Sequence, residues 1–224
     1  SGYPYILNID VANRANPVKG KIIMSNLCSE ILQLQTPSVL NDDLSYHEVG
    51  TDISCNLGLT NIVNLLKSED FAASVDTMVR ALTTVTDLES VEEVPTVNKG
   101  NRLYHTIGLG AMGLHTAFAL HQIKYGSKES LEFTEAYFLA LNYYSLVSSN
   151  RIAQEQHETF YEFADSSYAD GSYFSPYVEQ DFVFRFPKIA AIFKNIPIPT
   201  KEDWKVLREK VMKDGLYHRN RLAV

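Results

Sequence analysis

The sequence predicts a single helix-rich α/β unit over residues 1–224, and three observations carry this prediction. Apolar residues recur at steps of three and four in several long stretches, which is the period of an amphipathic helix. Residues 52–57 (Asp-Ile-Ser-Cys-Asn-Leu) are typical of a short strand. A composition of 45% hydrophobic and 21% charged residues is that of an ordinary globular domain.

The first fifth of the chain is predicted to hold little regular structure. Residues 5–9 alternate weakly and predict a short strand, after which Asp10 is placed to cap a helical turn that Asn16-Pro17 interrupts. Residues 36–48 are rich in turn-forming residues and are predicted to be an exposed connecting loop.

Most of the remaining chain is predicted to be helical, and capping residues mark where the helices start. The predicted starts are Ser68 or Asp70, Ser127, Pro187 and Thr200. The helix after Ser127 is the longest, about five turns, with an extension to Phe160 left open. Thr200-x-x-Asp203 resembles a capping box, and Gly215 is predicted to end that last helix.

Charge and cysteine content exclude several classes of protein. The net charge of −7, from 27 acidic and 20 basic residues, argues against a nonspecific nucleic-acid binder. No apolar run approaches the roughly 20 residues that span a bilayer, and the start lacks the features of a secretory signal, so a cytoplasmic protein is predicted. Two cysteines and six dispersed histidines give no metal-ligand pattern, and we assign no metal.

The strongest candidate site is Asn26, Cys28 and Glu30, which stand at every second position in residues 24–31. In an extended segment these side chains share one side at intervals of about 6.6 Å, whereas a helix would separate the first two by about 200°. A thiol, a carboxylate that moves a proton and an amide that fixes a substrate hydroxyl make a chemically sensible set. The alternative is an ordinary buried cysteine beside a solvated glutamate.

Two further motifs offer weaker alternatives. Residues 108–113 carry the literal Gly-x-Gly-x-x-Gly pattern, with Glu129 or Glu132 as the distant acidic residue of a dinucleotide site. The residues before this motif are a poor candidate for the strand that a dinucleotide site requires. The preferred interpretation is a helix whose small residues let it pack closely against its neighbours. A thiol enzyme with Cys28 as nucleophile and His47 as base lacks any local signature.

Four segments in order resemble the large (alpha) subunit of class I ribonucleotide reductase. Residues 25–31 (Ser-Asn-Leu-Cys-Ser-Glu-Ile) resemble the finger-loop signature of that family, and the likeness continues through residues 52–58, 107–112 and 214–217. The step of 27 residues from Cys28 to Cys55 resembles class Ib. The resemblance implies a helix-rich portion of a ten-stranded α/β barrel, with a central finger loop carrying the active-site cysteine.

The resemblance also implies a function, the radical reduction of ribonucleoside diphosphates to deoxyribonucleoside diphosphates. Cys28 would form the thiyl radical that takes the ribose 3′ hydrogen, Glu30 would be the base for the 3′ hydroxyl, and Asn26 would bind the ribose hydroxyls. Leu27 and Ser29 would complete the substrate-binding segment.

Cys55 would be one half of a redox-active disulfide, whose other half lies upstream of Ser1 unless this role is misassigned. By the same resemblance the chain binds no cofactor itself. A metal-containing beta subunit would supply the radical, a thioredoxin or glutaredoxin-like protein the electrons, and the full-length subunit would be a homodimer.

The family's tandem radical-relay tyrosines and tail cysteines are not found here, and Tyr143-Tyr144 is predicted to pack within a helix. We therefore expect no turnover by this polypeptide alone. A split or truncated reductase piece that acts only as an assembly module is the alternative.

Overall fold

The computed structural model describes residues 5–223 and confirms a mixed α/β architecture dominated by helices. The helices in this range are α1 (Ile9–Ala15), α2 (Ile62–Leu65), α3 (Phe71–Leu88), α4 (Pro95–Tyr104), α5 (Leu114–Leu120), α6 (Lys128–Gln156), α7 (Ser175–Val178), α8 (Pro187–Ile192) and α9 (Lys201–Asp214). The strands are β1 (Val39–Leu40), β2 (Tyr46–Glu48), β3 (Leu57–Asn61) and β4 (Gly108–Met112). Short 3₁₀ turns lie at Phe163–Asp165 and Ser172–Phe174.

Strands β3 and β4 are parallel neighbours, and the end of the chain adds a third parallel segment. Leu57 is paired with Gly108, while Leu109 forms a parallel bridge with Leu222 on the other side of β4. The Leu109 amide donates to the carbonyl of Arg221 at 2.7 Å. Parallel strands need a long crossover, which α2, α3 and α4 provide here. This arrangement brings residues near positions 55, 108 and 220 to one edge.

The glycine-rich motif at 108–113 is a strand, not the predicted close-packed helix. A Cβ on Gly108 would lie 2.4 Å from Leu57 Cδ2, and one on Gly110 would lie 2.7 Å from Leu59 Cδ2, so any larger residue would require these leucine side chains to move. The motif forms the strand itself, whereas a dinucleotide site needs a glycine loop after the strand. The dinucleotide interpretation is therefore wrong.

Helix α6 runs through the middle of the molecule and separates two apolar cores. Tyr137 and Leu141 of α6 pack with α3 residues such as Val79 in the first core. Leu146 of α6 packs with Trp204 of α9 in the second. Because α6 is covered on both sides, its buried residues occur along most of its length, and they include polar side chains such as Ser145 and Asn150 as well as apolar ones.

Side-chain caps confirm the predicted helix starts at Asp70, Ser127 and Thr200, while α8 begins at Pro187 as predicted but without a side-chain cap. The Asp70 carboxylate accepts a hydrogen bond from the Ala73 amide at 2.9 Å, and the Ser127 hydroxyl accepts from the Ser130 amide at 3.2 Å. Thr200 and Asp203 form the reciprocal capping box, and Gly215 ends α9 with a φ of +79°. Helix α6 ends at Gln156, short of Phe160.

Two strand predictions and one loop prediction need correction. Residues 5–8 form no strand, and Ile9 already begins α1. The strand predicted at 52–57 begins only at Leu57, because polar side chains on residues 54 and 56 are drawn into hydrogen bonds outside the sheet. The exposed loop predicted at 36–48 holds the small antiparallel pair β1 and β2, and it is exposed as expected. No helix within residues 5–223 is long and apolar enough to cross a membrane.

Candidate functional site

Residues 24–31 form a tight turn with Leu27 and Cys28 at its tip, so the predicted extended conformation is wrong. The Ser29 amide donates to the Asn26 carbonyl at 3.1 Å, and Ser29 has a φ of +67°. The Asn26 side chain closes the turn, because its Oδ1 accepts from the Ile31 amide at 3.0 Å. The tip is open to solvent: Leu27 is 82% exposed and Cys28 is an exposed free thiol.

The turn, rather than the predicted extended segment, brings the side chains of Asn26 and Glu30 into contact. Asn26 Nδ2 donates to Glu30 Oε1 at 2.6 Å. The thiol that contacts this carboxylate is, however, Cys55, whose Sγ donates to the same oxygen at 3.2 Å. Among the described residues no hydrogen bond joins Cys28 to Glu30. An amide, a carboxylate and a thiol therefore meet at one point, next to the turn that carries the second thiol.

The electrostatics of the cluster follow from these contacts. Hydrogen bonds from the Glu30 backbone amide, Cys55 and Asn26 lower the pKa of the Glu30 carboxyl, although partial burial opposes them. Partial burial raises the pKa of the Cys55 thiol, and so do the hydrogen bond to Glu30 and the charges of Glu30 and Cys28.

The two carboxylate oxygens of Glu30 have different surroundings. Oε1 accepts from Asn26 and Cys55, whereas Oε2 is buried and has no hydrogen-bond partner within residues 5–223. A buried acceptor without a partner is costly unless a ligand or water satisfies it. Oε2 is therefore the oxygen of this cluster that is free to accept a proton or a hydrogen bond.

A polar network that the sequence reasoning missed holds the residues on either side of Cys55. The Ser54 hydroxyl donates to Asn101 Oδ1 at 2.7 Å. The Asn56 and Asn101 amides both donate to Glu89 Oε2, at 3.1 and 2.9 Å. Ser54 and Asn56 could have been identified as site residues from the sequence, because they flank Cys55. No local signal connects Glu89 or Asn101 to the thiol, because they are brought in by α3 and α4.

A buried arginine fixes the chain where it leaves the turn. Arg219 Nη2 donates to the Leu34 carbonyl at 2.8 Å, and its guanidinium lies 3.6 Å from the centre of the Tyr104 ring. Arg219 is only 3% exposed. This contact ties residues 33–34 to the segment that follows α9, so the turn is anchored on both the α4 and the α9 sides.

The structure gives no support to a metal site or to a cysteine–histidine pair. No group of three or more potential ligands that could hold a metal occurs within the described residues. His47 lies in the exposed strand β2 and makes no hydrogen bond to either cysteine in this part of the chain. Glu132, once a candidate acidic residue, instead accepts hydrogen bonds from the amides of Arg185 and Phe186.

Comparison with known proteins identifies the family. The model of the ribonucleotide reductase barrel domain matches residues 1–224. The chain belongs to this family. The resemblance that the four sequence segments indicate is thereby confirmed.

Named ribonucleotide reductases match the same region. The alpha subunit of ribonucleoside-diphosphate reductase from Bacillus subtilis is 41% identical over 226 residues, and that from Mycoplasma genitalium is 42% identical over 230. Each match covers all of this chain and 32% of the relative. The NrdEB alpha subunit of Bacillus phage SPbeta is 42% identical over 202 residues, which cover 90% of this chain and 19% of that protein. The chain thus spans about a third of the length of the first two relatives.

Proposed function

We propose that this chain is the part of a ribonucleoside-diphosphate reductase alpha subunit that carries the radical cysteine and one redox cysteine. The observation that carries the proposal is the contact of Glu30 with both Asn26 and Cys55, beside the exposed thiol of Cys28. Membership in the ribonucleotide reductase barrel family supports the reaction class. The step from Cys28 to Cys55 and the match to the NrdEB subunit favour class Ib.

Cys28 has the exposure that its proposed task requires. As a thiyl radical, Cys28 abstracts the ribose 3′ hydrogen atom: the C–H bond breaks, an S–H bond forms and the radical passes to the sugar. A thiol at the tip of a turn can enter a substrate pocket that buried cysteines cannot reach. Leu27 and Ser29, on either side, contact the substrate in this account.

Glu30 and Asn26 handle the ribose hydroxyls. The unpartnered Oε2 accepts the proton of the 3′ hydroxyl, since Oε1 is already occupied. The lowered pKa keeps this carboxylate ionised at neutral pH, so Oε2 can accept a proton, although the same shift makes Glu30 a weaker base than an ordinary glutamate. Asn26 holds the carboxylate and presents its amide to the substrate.

Cys55 is the proposed half of a redox-active disulfide that supplies two electrons as water leaves the sugar. Its second half is a cysteine of the longer protein. A thioredoxin or glutaredoxin-like protein restores the pair, a metal-containing beta subunit supplies the radical, and the full-length alpha subunit is a homodimer in the cytoplasm. The ten-stranded barrel with residues 24–31 as its finger loop belongs to the same proposal.

A second candidate is a piece whose main property is assembly with the remaining sequence. Among the described residues β3 has only β4 as a strand neighbour, and Leu59 and Met112 are about half exposed. An open strand edge with apolar side chains is a surface that other strands cover. On this account the 224 residues alone have no turnover, because one positioned part of a site is missing.

A chimera tests the proposal. The matching third of the Bacillus subtilis alpha subunit is replaced by this chain, and deoxyribonucleoside diphosphate formation is assayed with the beta subunit and a dithiol reductant. We expect activity that Cys28→Ser abolishes and that Lys21→Ala, an exposed control ahead of the turn, retains. A folded, dimeric chimera without activity would favour the assembly-only alternative. Activity of the isolated chain above a Cys28→Ala control would contradict the expected lack of turnover.

A further inference from the structure

The contact between Glu30 and Cys55 joins two groups that the proposed reaction uses at different stages. Glu30 would act while the substrate radical forms, and Cys55 would act when the sugar is reduced. Both stages involve the Glu30 carboxylate. Its Oε1 accepts a hydrogen bond from the Cys55 thiol, and its Oε2 is free to accept the substrate proton. A change of charge on Glu30 must therefore change the protonation equilibrium of the Cys55 thiol.

We infer that Glu30 is a positioning residue for Cys55, holding its thiol as S–H until the carboxylate takes up the substrate proton. This inference rests on the proposed function. The proton leaves the ribose 3′ oxygen, the electron pair of that O–H bond stays on oxygen, and Glu30 becomes a neutral acid. The negative charge beside Cys55 is lost, and the thiol is released for the later step.

The geometry favours a coupling specific to Glu30. The thiol is the donor and a carboxylate oxygen the acceptor, at a sulfur–oxygen distance of 3.2 Å. The titratable groups whose charges act on Cys55 are Glu30 and Cys28, both from the turn at 24–31. The neighbouring side chains of Ser54 and Asn56 are neutral and are held by Asn101 and Glu89 instead. A negative carboxylate beside a thiol disfavours the thiolate, which agrees with the raised pKa of Cys55.

Alkylation of the two thiols tests this coupling without any turnover. The full 224-residue chain is treated with iodoacetamide between pH 6.5 and 9.5, and mass spectrometry follows each cysteine separately. Glu30→Gln mimics the carboxyl after proton uptake, since it keeps the shape and loses the charge. We expect its Cys55 to react roughly threefold faster near pH 7.5, because a larger thiolate fraction outweighs a lower intrinsic nucleophilicity. The midpoint of the rate profile moves to lower pH.

Asp52→Asn is the matched control. It removes one negative charge from an exposed residue three positions before Cys55, without touching the thiol. In this variant the pH dependence of Cys55 alkylation is expected to match that of the unsubstituted chain. An unchanged profile in Glu30→Gln, or an equal change in Asp52→Asn, would overturn the inference. Fluorescence of Trp204, the single tryptophan, checks that each variant is folded.

A second measurement needs no change at Glu30. In Cys28→Ser the S–H stretching band in the Raman spectrum belongs to Cys55 alone, since the chain has two cysteines. Protonating Glu30 with acid weakens the acceptor, so the band is expected to move to higher frequency as the pH falls while Trp204 fluorescence stays native. A band that does not move would overturn the inference. These two measurements do not involve ribonucleotide reduction. The inference about Cys55 can therefore fail while the proposed function holds, and the proposed function can fail while the inference holds.

Discussion

Asn26 Nδ2 donates to Glu30 Oε1 across a tight turn, at 2.6 Å, while the other atom of the same amide accepts from the Ile31 backbone. One side chain thus closes the turn and orients the carboxylate. The site depends on this double contact, since the thiol of Cys28 lies at the tip of the turn that it holds.

Replacing Asn26 by alanine is expected to loosen the turn locally. The Ile31 amide loses its acceptor, and its hydrogen exchange becomes about fivefold faster, the equivalent of ~1 kcal/mol for one hydrogen bond. Ser25→Ala is the control, because the Ser25 hydroxyl reaches Asn26 only at 3.4 Å. Equal exchange rates at Ile31 in Asn26→Ala and the unsubstituted chain would contradict this account of the turn.

The stability of the chain is expected to decrease as the pH falls below about 6.5, through the fully buried His218. Burial holds the pKa of His218 well below its ordinary value, and the charges of Arg221 and His105 add to this. The unfolded state then binds a proton that the folded state does not, so the free energy of unfolding rises with pH up to about 6.5 and is level above it. One such group contributes a slope of at most about 1.4 kcal/mol per pH unit.

Urea unfolding between pH 5 and 8 measures this slope. His218→Asn is expected to be less stable at pH 8, because hydrogen bonds to Thr83 and Ser149 are altered, but to show a flatter dependence. His121→Gln, at an exposed position, serves as the control and keeps the original slope. An undiminished slope in His218→Asn would assign the effect to other groups.

Gly100→Ala is expected to destabilise the chain by about 1–3 kcal/mol. A Cβ at Gly100 would lie 1.9 Å from the Asp52 carbonyl oxygen, a backbone atom that cannot move alone. Alanine alone would favour the helix by about 1 kcal/mol, so the sign of the stability change tells whether α4 contacts the backbone at Asp52. Urea unfolding gives the value, with Arg102→Ala on the exposed side of the same helix expected within about 0.5 kcal/mol of the unsubstituted chain. A stabilised Gly100→Ala chain would rule out the contact.

Thr200→Ala is expected to cost about 1 kcal/mol of stability, since it removes one half of the capping box of α9. Trp204 lies in the first turns of that helix, so its fluorescence follows the unfolding directly. Thr77→Ala, at an exposed interior position of α3, removes a similar side chain without a cap and is expected to change stability by less than about 0.5 kcal/mol. Equal effects of the two substitutions would show that the cap contributes nothing.

Local signals in the sequence predicted the helix starts and the candidate site, but not how the site is built. The caps at Asp70, Ser127 and Thr200 act over three residues, so the pattern contains them fully. The sequence singled out Asn26 and Glu30, but a turn joins them, and the extended geometry argued from their spacing would have kept the two side chains apart.

Contacts between distant parts of the chain were beyond such reasoning. Cys55 reaches Glu30 across 25 residues, and Glu89 reaches Asn56 across 33. The glycines at 108 and 110 predicted close packing, but they lie in a strand rather than a helix, and the neighbour is a parallel strand 51 residues earlier, which periodicity cannot reveal.

The central claim is that Cys28 takes the 3′ hydrogen of a ribonucleoside diphosphate. The most direct test lets the chimera with the Bacillus subtilis subunit consume a mixture of substrate carrying hydrogen or deuterium at C3′. We predict that the hydrogen form is consumed faster, and that Cys28→Ser consumes neither. Equal consumption of the two forms, together with activity that persists in Cys28→Ser, would contradict the account.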